Sequence, residues 1–280
     1  MLGFPRAEVE GTKYDAGSHR QEECPTMPVV DSHCHASLTW YEPIELLLFQ
    51  MERNGVDHAV LIQMNGQFDN SYQAECVARY PGKFTSVVIV DQDRPDAADQ
   101  LAREADAGAG GVRLRPDSPA ALFQAAERLR LSVSCGGSAA LFASDQFARA
   151  IQSAPTVPIV IEHLGGLNRP DPGQEELRQK VFGLARYPNT YIKIHGLGEF
   201  SQRAMPVKEP FPFVEPIPSL LEQAYEAFGP SRMMWGSDYP PVSGREGYRN
   251  ALNGARDRLK GKAGLDEIFG GTALRVFPLR

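Results

Sequence analysis

The chain has 280 residues, 42% hydrophobic and 23% charged, with a formal net charge of −6. That is enough apolar material for a sizeable core and the balance of an ordinary soluble globular protein. Its basic residues are dispersed, which argues against a nucleic-acid or polybasic membrane-binding surface. A small molecule is left as the expected partner, and assembly with identical chains stays open.

No apolar stretch is long enough to span a bilayer. The opening "MLGFPRAEVEGTKYDAGSHRQEE" lacks the apolar centre of a secretory signal, so a cytoplasmic location is expected. Cys24, Cys34, Cys76 and Cys135 show no CxxC spacing and read as reduced, structural thiols. In "SVSCGGS", Cys135 alternates with apolar Val133, which places it in the core rather than among nucleophiles.

Residues 1–27 are polar and aperiodic and are expected to form an arm, mobile or packed across the outside of the domain. His19 lies there and is a poor ligand candidate. From Pro28 to the end at residue 280, short Val- and Ile-rich runs alternate with longer amphipathic stretches, the pattern of repeated βα units. The runs are "PVVDSH" (28–33), "HAVLIQ" (58–63), "FTSVVIV" (84–90), "GVRLR" (111–115), "LSVSC" (131–135), "PIVIEH" (158–163), "TYIKIH" (190–195) and "RMMWGSD" (232–238). Helical stretches such as "PIELLLFQMERNG" (43–55), "DNSYQAECVARYPG" (69–82) and "PDAADQLAREADAGAGG" (95–111) separate them. The expected fold is a single-domain (β/α)8 TIM barrel; a doubly wound open sheet is weaker because no GxGxxG follows the first run. The long Pro-rich connection 196–219 leaves the end of the barrel where sites form and reads as a lid or a disordered segment.

Active sites of such barrels are built at the carboxyl ends of the strands. His33 and His35 follow the first run, His163 closes the sixth, His195 the seventh and Asp238 the eighth, whereas His58 begins its run and belongs to the opposite mouth. On a strand Asp31, His33 and His35 would share one face. Imidazoles and a carboxylate suit Zn²⁺ or another divalent ion with water in an open position, and Asp238 could also take or relay a proton. A hydrogen-bonded cluster that seals the barrel top is the plain structural alternative. Arg113 and Arg115, two apart, could both face the interior and clamp a substrate carboxylate, unless one pairs with an acid such as Glu162. Lys193 shares a face with His195, as a charged partner of the site or part of a buried ion pair. Tyr41, in the loop after the first run, is a further substrate-contact candidate.

"VDSHCH", "IEHLGG", "KIHGLGEF" and "FGPSRMMWGSDYP", in that order and at those intervals, resemble the amidohydrolase superfamily. The likeness is to its amidohydrolase-related branch, which includes lactonases such as 2-pyrone-4,6-dicarboxylate lactonase, with decarboxylases nearby. It runs from about Pro28 to Phe277. The resemblance implies a distorted (β/α)8 barrel and metal ligation by His33, His35, His163 and Asp238. It also implies that His163 and His195 sit on the fifth and sixth strands. Some members of this branch work without a metal, using Arg and His side chains. Many lactonase-like members carry Ser where this chain has His195; a His there is more like the metal-dependent hydrolases and decarboxylases.

The expected activity is metal-dependent hydrolysis of a small carboxylated lactone or cyclic ester, with zinc the expected ion and manganese the alternative. Asp238 and His195 are the expected catalytic residues, and Arg113, Arg115, His195 and Tyr41 the substrate contacts. Non-oxidative decarboxylation of an aromatic or muconate-like acid, and a non-catalytic binding barrel, are the rivals.

Overall fold

The computed structural model describes residues 27–167, 174–207, 213–277 and 279. The expected amino-terminal arm, with His19 and Cys24, lies outside them apart from Met27. Eight parallel strands neighbour one another in chain order: β1 (Val30–Cys34), β2 (His58–Ile62), β3 (Phe84–Val88), β4 (Gly111–Leu114), β5 (Ser132–Cys135), β6 (Ile159–Ile161), β7 (Thr190–Ile194) and β8 (Met233–Trp235). The principal helices between and after them are Ile44–Asn54, Ser71–Arg79, Ala97–Asp106, Ala120–Leu129, Asp145–Ser153, Glu175–Phe182, Leu220–Phe228 and Tyr248–Arg258. This is the expected (β/α)8 barrel. His163 follows the sixth strand and His195 the seventh, as the count of runs has it and not as the resemblance implied. No helix among the described residues is long and apolar enough to cross a membrane.

Alternation along the strands builds two apolar layers. Val30, Val60, Ile62, Val87, Val160 and Met234 turn into the barrel and pack on Ala273, Val276 and Phe277 of the carboxyl-terminal segment. That segment covers the amino-terminal mouth: Ser132, the first residue of β5, donates to the Val276 carbonyl. Ala59, Leu61, Val133, Cys135, Ile159, Ile161, Ile192 and Ile194 turn outward against the helices. Each fully buried Val, Leu, Ile or Phe contributes roughly 1.5–3 kcal/mol relative to exposure, and the outer layer is the larger store. Cys34, Cys76 and Cys135 are free and buried in it.

The barrel closes just beyond β8. Asp238 N donates to the His33 carbonyl (2.8 Å), and His35 N donates to the Tyr239 carbonyl (2.8 Å). The Asp31 carboxylate staples the same seam, accepting from Ser237 N (2.8 Å), Ser237 Oγ (2.6 Å) and the Tyr248 hydroxyl (2.9 Å). Gly236 is required here, because a Cβ on it would lie 2.5 Å from His33 Cβ.

One alternation expectation is corrected at this seam. The β1–β2 ladder shifts register between Asp31 and Cys34, and such a bulge sets an extra residue against the partner strand. Asp31 therefore turns to Tyr248 in the helical layer, while His33 and His35 turn to the interior.

Candidate active site

The closing seam brings the first and last motifs together. The His33 and His35 rings meet edge to face with centroids 5.0 Å apart, and their Nε2 atoms face Asp238 Oδ1 at 3.8 and 3.4 Å. His35 Nδ1 lies 2.7 Å from the Ile62 carbonyl, which orients the ring with Nε2 turned toward Asp238. His33 Nδ1 lies 3.4 Å from Lys193 Nζ and 4.0 Å from Glu162 Oε1. Burial, then the Lys193 charge, hold the His33 pKa well below its ordinary value, and its buried Nε2 has no hydrogen-bond partner among the described residues. Burial works to raise the Asp238 pKa, but contact with His35 and the His163 charge outweigh it, so the carboxyl is ionised at neutral pH. Asp238 adopts φ +57°, a conformation costly for most side chains. Its Oδ2 accepts from Arg245 Nη1 at 2.9 Å.

His163 opens a left-handed turn. His163, Leu164, Gly165 and Gly166 have φ of 48°, 52°, 66° and 75°. Gly166 cannot be replaced cheaply, since a Cβ would lie 2.8 Å from Ala139 N. The turn carries the His163 ring to 4.6 Å from His33 and sends its Nδ1 to Glu199 Oε1 at 3.0 Å. Burial pulls the His163 pKa down, but Glu199, Asp238 and Glu162 together raise it above the ordinary value. The Glu199 carboxyl is held well below its usual range: burial opposes this, and His195, His163 and Arg245 overcome it.

The expected set of His33, His35, His163 and Asp238 meets at this mouth but is spread over overlapping groups of donors. His33, His35 and Asp238 offer atoms within 4.8 Å of one another; His163 groups instead with Glu199 and Asp238, and separately with His33 and Glu162. The turn geometry and the Glu199 carboxylate are what draw His163 aside. Glu199 was missed in the sequence although it lies in the quoted "KIHGLGEF". Arg245 was missed as well, and its signal is position alone: it follows Asp238 by one short loop at the catalytic mouth.

His195 is buried, with Nδ1 2.8 Å from the Gly196 carbonyl and Nε2 3.7 Å from Glu199 Oε2. Burial lowers its pKa, so Nε2 is an acceptor rather than a donor. The Tyr41 ring lies tilted against that of His35 with centroids 5.4 Å apart.

Beneath the histidines runs a buried polar chain. Lys193 Nζ donates to Ser134 Oγ (2.9 Å), and Ser134 Oγ donates to Glu162 Oε1 (2.7 Å). Arg113 donates to Glu162 from Nη2 (2.7 Å) and Nε (3.1 and 3.2 Å), and from Nη1 to the Gln63 carbonyl (2.9 Å). Burial would raise the Glu162 pKa, but Arg113 and Lys193 bring it down to about 2, while burial lowers Lys193 to about 8. Arg115 is half-exposed and pairs with Asp117 (3.2 Å) and Asp93 (3.4 Å). Neither guanidinium is therefore the free carboxylate clamp expected of the pair. Both still border a cavity of about 580 Å³ whose wall includes Asp91, Gly136, Glu162 and His163.

The donors at the seam fit a divalent ion. Two imidazoles turn Nε2 toward an ionised carboxylate, one of these nitrogens is buried without a hydrogen-bond partner among the described residues, and His35 is oriented from behind by a carbonyl.

Comparison with known proteins identifies the family. The family model described as Amidohydrolase matches residues 30–279. An Acinetobacter baumannii protein named a probable 2-pyrone-4,6-dicarboxylic acid hydrolase is similar at 17% identity and TM-score 0.69, over 90% of this chain and 99% of its own. A Burkholderia multivorans amidohydrolase solved with bound zinc is similar at 18% identity and TM-score 0.71, over 90% and 100%. The 5-carboxyvanillate decarboxylase of Sphingomonas paucimobilis is similar at 16% identity and TM-score 0.60, over 91% and 100%. No curated protein matches the chain. With the family match spanning the whole described barrel from β1 onward, the chain belongs to the amidohydrolase family and is an enzyme of that superfamily.

Proposed function

We propose that this amidohydrolase opens a lactone or similar cyclic ester of a small carboxylated molecule, with a divalent ion held by His33, His35 and Asp238. Zinc is the expected ion and manganese the alternative. The observation that supports this most is the convergence of two imidazole Nε2 atoms on one oxygen of an ionised Asp238, at the mouth that also opens to the cavity bordered by Glu162 and His163.

When bound, the ion supplies a water of lowered pKa and positive charge for the carbonyl oxygen. Asp238 takes the proton of the attacking water, its other oxygen being anchored by Arg245. Glu199 at Nδ1 favours the doubly protonated His163 ring, whose Nε2 proton goes to the leaving oxygen while Nδ1–H stays directed at Glu199. His195, with Nδ1–H directed at the Gly196 carbonyl, accepts at Nε2 from a hydroxyl or water and orients it. Arg113 and Arg115 border the cavity, and a substrate carboxylate there shares them with Glu162, Asp93 and Asp117.

The test is isotopic. A panel of carboxylated lactones and aromatic acids is turned over in ¹⁸O-labelled water and in heavy water. Hydrolysis places ¹⁸O in the product carboxylate and no deuterium on carbon. Carbon dioxide release with deuterium at the former carboxylate position assigns decarboxylation instead, and an absence of turnover across the panel overturns the carboxylated-lactone reading.

A further inference from the structure

The ionised Asp238 carboxylate has two sides. Oδ1 faces His33 and His35. Oδ2 accepts from Arg245, and Asp238 also belongs to a second group of donors, in which His163, Glu199 and Asp238 bring ligand atoms within 4.8 Å of one another. A further donor points the same way: His195 is 1% exposed, and its Nε2 has no hydrogen-bond partner among the described residues and lies 3.7 Å from Glu199 Oε2. Two imidazoles and two carboxylates would suit a second divalent ion, with Asp238 bridging the two positions.

That second position already has a tenant. Arg245 Nη1 donates to Asp238 Oδ2 at 2.9 Å, and Nη2 lies 3.5 Å from Glu199 Oε1. The guanidinium thus lies against one oxygen of each carboxylate in that group. It is held from behind by Glu246, whose Oε2 lies 3.8 Å from Arg245 Nε. Glu246 is itself wedged against the turn that carries Glu199, where a Cβ on Gly196 or Gly198 would overlap its carboxylate. Arg245 and the two carboxylates it joins come from the loops after β7 and β8, so the cation is built into the meeting of those loops. A guanidinium keeps its charge at any pH the protein survives and exchanges no ligands.

We propose that Arg245 is the resident second cation of this centre and limits it to one divalent ion, held on the Oδ1 side of Asp238. The inference rests on the metal reading above. Removing the guanidinium opens the position formed by His163, Glu199, His195 and Asp238 to a second ion.

The experiment counts ions in the folded protein. Wild type, Arg245→Met, Arg245→Lys and Arg245→Met/Glu199→Gln are loaded with excess Mn²⁺ and desalted. Each is read by elemental analysis per chain and by electron paramagnetic resonance for a spin-coupled pair. The expected result is one ion in wild type and in Arg245→Lys, two coupled ions in Arg245→Met, and one again in the double variant. Two ions in wild type, or a folded Arg245→Met that stays at one, overturns the proposal. If Arg245→Met does not fold, Glu199→Gln alone decides: it retains the single ion if Glu199 belongs to the second position, and loss of that ion overturns the assignment. An ion-free wild type sinks the metal reading and this inference with it, an outcome distinct from a wild type that holds one ion while Arg245→Met gains none.

Discussion

The two mouths of the barrel are built from the same strands and could hardly differ more. At the amino-terminal mouth, Val30, Val60, Ile62, Val87, Val160 and Met234 close on Phe277 and Val276 with ordinary backbone and apolar contact. At the carboxyl-terminal mouth, His163, Leu164 and Asp238 hold positive φ, and buried nitrogens of His33, His195 and Arg245 lack hydrogen-bond partners among the described residues. One end gains free energy from burial, and the other holds strain and charge that the packed end must offset. Stability and chemistry are therefore separable by substitution, and each experiment below tests that separation.

The largest effect is expected at the seam. His33→Ala/His35→Ala should lose its near-stoichiometric metal by elemental analysis and fall roughly 10⁴-fold or more in turnover, since base catalysis and charge stabilisation go together. Its urea midpoint should change little by comparison. Full activity in a chelated, metal-free sample would break the reading and favour a metal-independent mechanism.

The opposite mouth should show the reverse. Met234→Ala removes a fully buried side chain of the interior plug and should cost about 2–5 kcal/mol in denaturant titration. Its kcat per folded molecule should stay at the wild-type value. A parallel collapse of kcat would show that the two ends are coupled.

Glu162 sits between the two regions and gives a pH test. Its pKa falls from the ordinary 4.5 to about 2 in the folded chain. A depressed carboxylate contributes stability that is fully present above 4.5 and is lost as pH falls through 4.5 toward 2. In wild type this pair should account for about 3 kcal/mol of the acid loss, and Glu162→Gln should flatten that limb in urea titrations between pH 2 and 6. An unchanged acid limb would mean that the Arg113–Glu162 pair adds nothing across this range.

The smallest effect belongs to Arg115. Its pairs with Asp93 and Asp117 are half-exposed, and exposed pairs are worth about 0.2–1 kcal/mol. Arg115→Lys should shift stability by no more than that, while Arg113→Lys, which loses the two-pronged grip on buried Glu162, should cost more in both melting and KM. Equal and large KM effects from both would restore Arg115 as a substrate contact.

What could be read from the chain alone was local and periodic. Alternation in "HAVLIQ" and "TYIKIH", with helical stretches between, is a property of neighbouring residues, and it was enough for eight strands and for placing five polar residues at one mouth. The rest depends on partners distant in the chain. The bulge that turns Asp31 away from His33 answers to Ser237 and Tyr248, more than 200 residues on. The capture of Arg113 by Glu162 spans 49 residues. The division of the expected ligands into two groups follows from a left-handed turn at His163 meeting Glu199 on another loop. Spacing specifies which way a side chain leaves its own strand; which charge waits there is decided only when the barrel closes and sets β8 beside β1.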